Sequence, residues 1–141
     1  MRVLLLLSVV LFCSFTSSNP LLQEANPYTF DSIQEGVKVS SKMTHSRWKR
    51  EESPLMLCLK LHNTNTYAVN FTFTMEFYQY GMVAETMEPV TVCLKPDETL
   101  VGRRGSLCWL SESLDNAVLQ SDAFDWEMND VSVTALETEC P

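Results

Sequence analysis

From Tyr67 to Phe77 the chain alternates residue by residue. Tyr67, Val69, Phe71, Phe73, Met75 and Phe77 are apolar, and Ala68, Asn70, Thr72, Thr74 and Glu76 stand between them. Successive side chains of a strand point to opposite faces, so strict period two in a stretch rich in aromatics and threonine predicts a strand with one buried face. Leu55, Leu57, Leu59 and Leu61 alternate in the same way with Met56, Cys58, Lys60 and His62. The link His62-Asn63-Thr64-Asn65-Thr66 is turn chemistry, so 55–61 and 67–78 are expected to pair as a β-hairpin.

Other strands are shorter. Pro89 to Leu94 ends at the turn signal Lys95-Pro96-Asp97, and Leu100-Val101 and Leu107 to Leu110 flank Gly102-Arg103-Arg104-Gly105. Val131, Val133 and Ala135 alternate with Ser132, Thr134 and Leu136 in a last strand before Cys140. Ser111 or Ser113 is placed to cap a short helix carrying Leu114, Val118 and Leu119. The expected fold is mainly β: a small disulfide-stapled antiparallel sandwich or barrel of five to six strands, with room for one short helix.

Three segments follow from the ends of the chain. Residues 1–18 read as a signal peptide, with Arg2 at the start, an apolar run from Val3 to Phe12, and Ser14, Thr16, Ser17 and Ser18 as small residues before cleavage. As a helix that run reaches about 15 Å, half of the ~30 Å a bilayer core requires, so a membrane span is not expected. Residues 19–50 read as a propeptide or flexible linker with a polar stretch from Lys38 to Ser46. It closes in Arg47-Trp48-Lys49-Arg50, the Arg-X-Lys-Arg pattern after which secretory proprotein convertases cut. Residues 51–141 form the expected mature domain. It carries Lys60, Lys95, Arg103 and Arg104 against fifteen Asp and Glu, a net −11, within a whole-chain charge of −8. The 19–50 segment is net +2, which suggests that its basic end lies on the acidic mature surface until cleavage. So acidic a domain argues against nucleic acid as partner.

Removal of the signal also removes Cys13 and leaves Cys58, Cys93, Cys108 and Cys140, an even count that fits two disulfides in an oxidising compartment. Three pairings are open. The nested one, Cys93–Cys108 with Cys58–Cys140, is favoured because it joins neighbouring strands and ties first strand to last. No Cys-x₂₋₄-Cys pair suggests a metal. Asn70-Phe71-Thr72 is an N-glycosylation sequon whose asparagine falls on the polar face of the best strand.

Little in the mature segment suggests catalysis. Its one histidine is His62, beside a turn, and neither a Gly-x-Ser-x-Gly elbow nor a glycine-rich phosphate loop occurs. A non-enzymatic protein without cofactors is expected. Asp122, Asp125, Glu127 and Asp130 are interleaved with Phe124, Trp126 and Met128, but lack the spacing of a calcium loop. Apolar side chains among acids suit a recognition surface for a basic partner, with Trp126 as anchor, unless Trp126 belongs to the core. Arg103 and Arg104, in an expected hairpin turn, are further candidate contacts. The reading is a secreted, glycosylated factor, matured by a convertase, that binds an extracellular or cell-surface protein as a signalling ligand or recognition protein. The alternatives are a carrier of a small apolar ligand, using the aromatic face of 67–77 as a pocket wall, and a defence or venom-type effector.

Overall fold

The computed structural model describes residues 28–45, 52–103, 106–138 and 140. These form an antiparallel β-sandwich of two sheets, with no α-helix among the described residues. In chain order the strands are β1 Thr29–Gln34, β2 Val37–His45, β3 Pro54–Asn63, β4 Val69–Gln79, β5 Met82–Thr86, β6 Val90–Leu94, β7 Thr99–Val101, β8 Cys108–Asp115 and β9 Phe124–Ala135. In the first sheet β1, β2 and β3 lie side by side, and β7 and β8 share the remaining edge of β3. The second sheet is centred on β4, with β9 along one edge and β5 and β6 along the other.

The alternation marks the buried faces correctly. Leu55, Leu57, Leu59 and Leu61 from β3 meet Val69, Phe71, Phe73, Met75 and Phe77 from β4 in one core, completed by Val37, Val39 and Leu94. Burying a side chain of this size stabilises by roughly 1.5–3 kcal/mol. The rings of Phe71 and Phe73 lie 5.4 Å apart, and Trp109 meets Phe73 edge-on at 5.9 Å. Tyr67 lies before the strand and is exposed, while Ala68 beside it is buried.

The expected hairpin between 55–61 and 67–78 does not form: β3 and β4 face each other from different sheets. Type I′ two-residue hairpin turns use consecutive left-handed residues, which this chain supplies at Glu35-Gly36 between β1 and β2 and at Tyr80-Gly81 between β4 and β5. The link 64–68 has none. Instead the buried Asn63 turns the chain across the sandwich, its Nδ2 directed at the carbonyls of Tyr67 (2.9 Å), Lys95 (3.0 Å) and Leu94 (3.2 Å).

Within the segment read as a linker, residues 29–34 and 37–45 are strands. β2 pairs with β3 from Val37 to His45, and Val37 and Val39 have 0% exposure. The polar residues that suggested a linker alternate with those valines, and Lys38, Ser40 and Lys42 form the outer face of a strand. The expected short helix is a 3-10 helix at Asn116–Gln120, capped by Asp115, whose side chain accepts from the Ala117 N–H at 3.0 Å. Ser111 and Ser113 belong to β8 and donate their hydroxyls to Glu85 instead.

The disulfides join Cys58 to Cys108 and Cys93 to Cys140, replacing the nested pairing. Cys108 lies opposite Cys58 because β8 occupies the β3 edge. Cys140, beyond β9, is tied to β6 on the other side of β4. Each sheet thus carries its own staple and neither bond joins the two sheets. In the chain-entropy account a loop of about 50 residues contributes about 4 kcal/mol.

Candidate binding surface

β4 and β9 build the surface. Residues opposite one another in a sheet share a face, and the register sets Tyr78 against Asp125, Phe77 against Trp126, Glu76 against Glu127 and Met75 against Met128. Phe77 and Met75 are core, so Trp126 and Met128 point inward, partly buried against it. Trp126 is therefore a core-facing residue at the sheet edge and not a free-standing anchor. Glu76, Tyr78, Asp125 and Glu127 share the outer face.

That face concentrates negative charge. Glu76 and Glu127 sit directly opposite, an arrangement that destabilises a sheet when nothing offsets it. Glu76 accepts hydrogen bonds from the Tyr78 hydroxyl (2.7 Å), from Asn129 Nδ2 (2.7 Å) and from the Thr86 hydroxyl (3.3 Å). Among the described residues no lysine or arginine lies within ion-pair distance of Glu76, Asp125 or Glu127. The Tyr78 phenol records the field: its hydrogen bond to Glu76 raises its pKa, partial desolvation and the charges of Glu76 and Glu127 add to that, and Asn129 opposes it.

The Tyr80-Gly81 turn then brings an aromatic to the acids. The Tyr80 N–H donates to the Ala123 carbonyl at 2.8 Å, fastening the turn to the segment before β9 and leaving the Tyr80 side chain 75% exposed. Between them opens a hollow of about 920 Å³ lined by Tyr78, Tyr80, Gly81, Ser121, Asp122, Ala123, Phe124, Asp125 and Glu127. A second, of about 490 Å³, lies between β1 and β9, lined by Phe30, Asp31, Ser32, Gln34, Val39, Asp125, Trp126, Glu127 and Met128. Asp125 and Glu127 border both. No three His, Cys, Asp or Glu side chains among the described residues converge to hold a metal ion.

Three lysines lie in the other layer. Lys38, Lys42 and Lys60 occupy the outer face of the first sheet, opposite His62, Cys58 and Ser40 respectively. The Lys42 ammonium stands 4.8 Å from the centre of the Tyr28 ring, and His62 pairs with Asp97 at 3.0 Å. Lys38 and Lys42 therefore do not lie on the acidic surface, as the charge balance had suggested for the basic segment. They are built into the opposite face.

The remaining candidates scatter. Arg103 is exposed on the β7–β8 flank, where it exchanges two backbone hydrogen bonds of 2.8 Å with Ser106. That flank faces β6 and β5, whereas Trp126 lies on the flank shared by β1 and β9, so the two form no common surface. Arg104, the convertase residues Arg47, Lys49 and Arg50, and the 1–18 signal lie outside the described residues. Asn70 is partly exposed on the outer face of the second sheet, between Cys93 and Thr134. Along β4 it stands about 20 Å from Glu76 at ~3.3 Å per residue. Tyr78, Tyr80 and Glu76 were missed as site residues. The Tyr80-Gly81 dipeptide was the available signal for the turn, and the even numbering of Glu76 and Tyr78 for the outer face.

Comparison with known protein families, with curated proteins and with solved structures gives no match. Fold and staples define the class: a two-sheet antiparallel β-sandwich whose two disulfides are consistent with an oxidising, extracellular setting. No helix among the described residues is long and apolar enough to cross a membrane.

Proposed function

We propose that the chain is a secreted, non-enzymatic binding factor, a signalling ligand or recognition protein, whose acidic β4–β9 surface takes a basic extracellular partner. The observation that carries this reading is the opposed pair Glu76 and Glu127, with Asp125 beside it, without a lysine or arginine in ion-pair distance among the described residues and bordered by the exposed Tyr80. An acidic face without paired cations offers a cationic partner complementary charge and a fast, steered encounter. Tyrosine supplies large contact area at low entropic cost. Secretion through residues 1–18, glycosylation at Asn70 and cleavage after Arg50 belong to the same proposal, supported by the two disulfides and by the motifs themselves.

The carrier alternative is less well supported, because it takes the aromatic face of 67–77 as its pocket wall. Phe71, Phe73, Met75 and Phe77 are closed into the core, and neither hollow beside β9 is lined by them. The test has two parts. Intact mass of the protein from eukaryotic culture medium, before and after deglycosylation and reduction, reads signal removal, cleavage, glycan and disulfides. Binding to a library of receptor ectodomains is then compared between the natural chain and an Asp125→Asn, Glu127→Gln double variant. The expected result is a salt-sensitive partner that the double variant binds at least tenfold more weakly. Equal binding by both forms removes the acidic surface from the function.

A further inference from the structure

β9 runs for twelve residues and, among the described residues, pairs with β4 alone. Its other edge has no strand beside it among the described residues, the arrangement that accepts an added strand; the Trp126 N–H there donates to the Asp125 carboxylate at 2.8 Å, a local bond that an added strand must displace. A register shift opposite Thr72 and Thr74, with Asp130 at φ 51°, breaks the strand in the middle and leaves Phe124 to Asn129 as one regular stretch. Along it the faces are sorted: Asp125 and Glu127 outward, Trp126 and Met128 inward. The groove between β9 and β1, floored by Val39, Trp126 and Met128, runs beside this same edge.

We infer that the free edge of β9 from Phe124 to Asn129 receives an extended basic segment of the partner, added as a further strand of the second sheet. This rests on the proposed reading of the surface and specifies how the partner is held. The charge pattern selects the occupant. A second copy of the chain, paired antiparallel about Trp126, would set its Glu127 and Asp125 against the first copy's Asp125 and Glu127, like charges directly opposite. A strand with lysine or arginine at every second residue places cations opposite both acids, where facing Cβ atoms are only about 5 Å apart. Its intervening side chains then meet Trp126 and Met128 in the groove. The recognised chemistry is therefore period two, basic then apolar, in an extended conformation.

The test uses the full chain with its disulfides formed and an eight-residue synthetic peptide, Lys-Val repeated four times and blocked at both ends. Binding is followed by the indole emission of Trp126, with Trp126→Phe as control, and by calorimetry. Three further peptides decide the mode: a permuted one with four lysines followed by four valines, and two N-methylated at alternate amides, at the odd or at the even positions. In an added strand only one set of alternate N–H groups faces β9. The expected result is at least tenfold weaker binding of the permuted peptide and loss of binding for one methylated peptide but not the other. Equal binding of both methylated peptides overturns strand addition while leaving the acidic surface as a binding site. No binding by any of the four overturns both the strand and the basic-partner reading. A dimer at neutral pH that the peptide does not dissociate assigns the edge to a second copy and overturns the inference as well.

Discussion

Two polar side chains hold the sandwich together at points where its apolar core cannot. Asn63 is fully buried, with Nδ2 directed at three carbonyls from the start of β4 and the end of β6 and with Oδ1 accepting from the Asn65 N–H at 3.0 Å. Asn63→Leu keeps the volume and strips the donors from buried carbonyls, each costing about 1–3 kcal/mol when left unsatisfied. The variant is expected to lose about 3 kcal/mol in urea unfolding, whereas an unchanged midpoint would mean that water replaces the amide. Glu85 plays the corresponding part on the flank. Reaching from β5 to β8, its carboxylate accepts from the hydroxyls of Ser111 and Ser113 and from the N–H groups of Glu112 and Ser113. Burial pushes its pKa up, but those hydrogen bonds outweigh burial and hold it below the ordinary 4.5. A folded pKa below the unfolded one gives a contribution that is complete above pH 4.5 and is lost as pH falls through the folded value. Glu85→Gln is thus expected to be less stable than the natural chain by about 1–2 kcal/mol at pH 7, with the gap closing below pH 4.5. A gap that stays constant from pH 7 to pH 3 would show that the charge contributes nothing.

At the scale of elements, periodicity announced which face β3 and β4 bury but not which strands are neighbours. The leucines of β3 and the aromatics of β4 read correctly because burial on one face imposes period two on the sequence itself. Their placement in different sheets depends on hydrogen-bond partners far along the chain, and the residue that decides it, Asn63, looked like any turn asparagine. β2 escaped notice because Ser41 interrupts its inner face between Val39 and Met43, leaving only two valines in a row of period two. The disulfides were misassigned for a related reason: Cys58 meets Cys108 only because β7 and β8 follow one another along the same edge of β3. Gly102 makes that handover. Its N–H donates to the Leu59 carbonyl at 2.7 Å, and the Leu59 N–H in turn donates to the Leu107 carbonyl at 2.8 Å. A Cβ at position 102 would stand 2.6 Å from the Leu107 oxygen and 2.7 Å from the Leu59 oxygen, backbone atoms that cannot swing away. Gly102→Ala is therefore expected to lose about 2 kcal/mol or more in chemical denaturation. Full natural stability in that variant would mean that β7 and β8 meet β3 differently. The acidic half of β9 was legible as composition, and its geometry became visible only once β4 supplied the register.

For the whole molecule the β1–β2 hairpin changes what cleavage after Arg50 would accomplish. A propeptide read as a flexible spacer would leave on cutting. Residues 37–45 instead contribute β2 to the interior of the first sheet, with Val37 and Val39 in the core, and Lys38 and Lys42 give that sheet its basic outer face beside Lys60. Release would uncover one edge of β3 along its whole pairing with β2 and expose two valines, each costing roughly 1.5–3 kcal/mol, besides the ladder's hydrogen bonds at about 1 kcal/mol apiece. Residues 19–50 contain no cysteine, so neither disulfide would retain the hairpin after the cut. The expected product is a two-chain molecule held by strand pairing and core packing, without a covalent link. The cut can be made independently of any natural convertase by placing a specific protease site within 46–51. Native mass spectrometry should then find both pieces in one particle, which denaturing electrophoresis separates without reductant. Departure of the hairpin from a remainder that stays folded would sink this expectation and restore the spacer. Retention carries the opposite consequence, because a severed strand that stays in place is one that a competing strand can displace at the edge of β3.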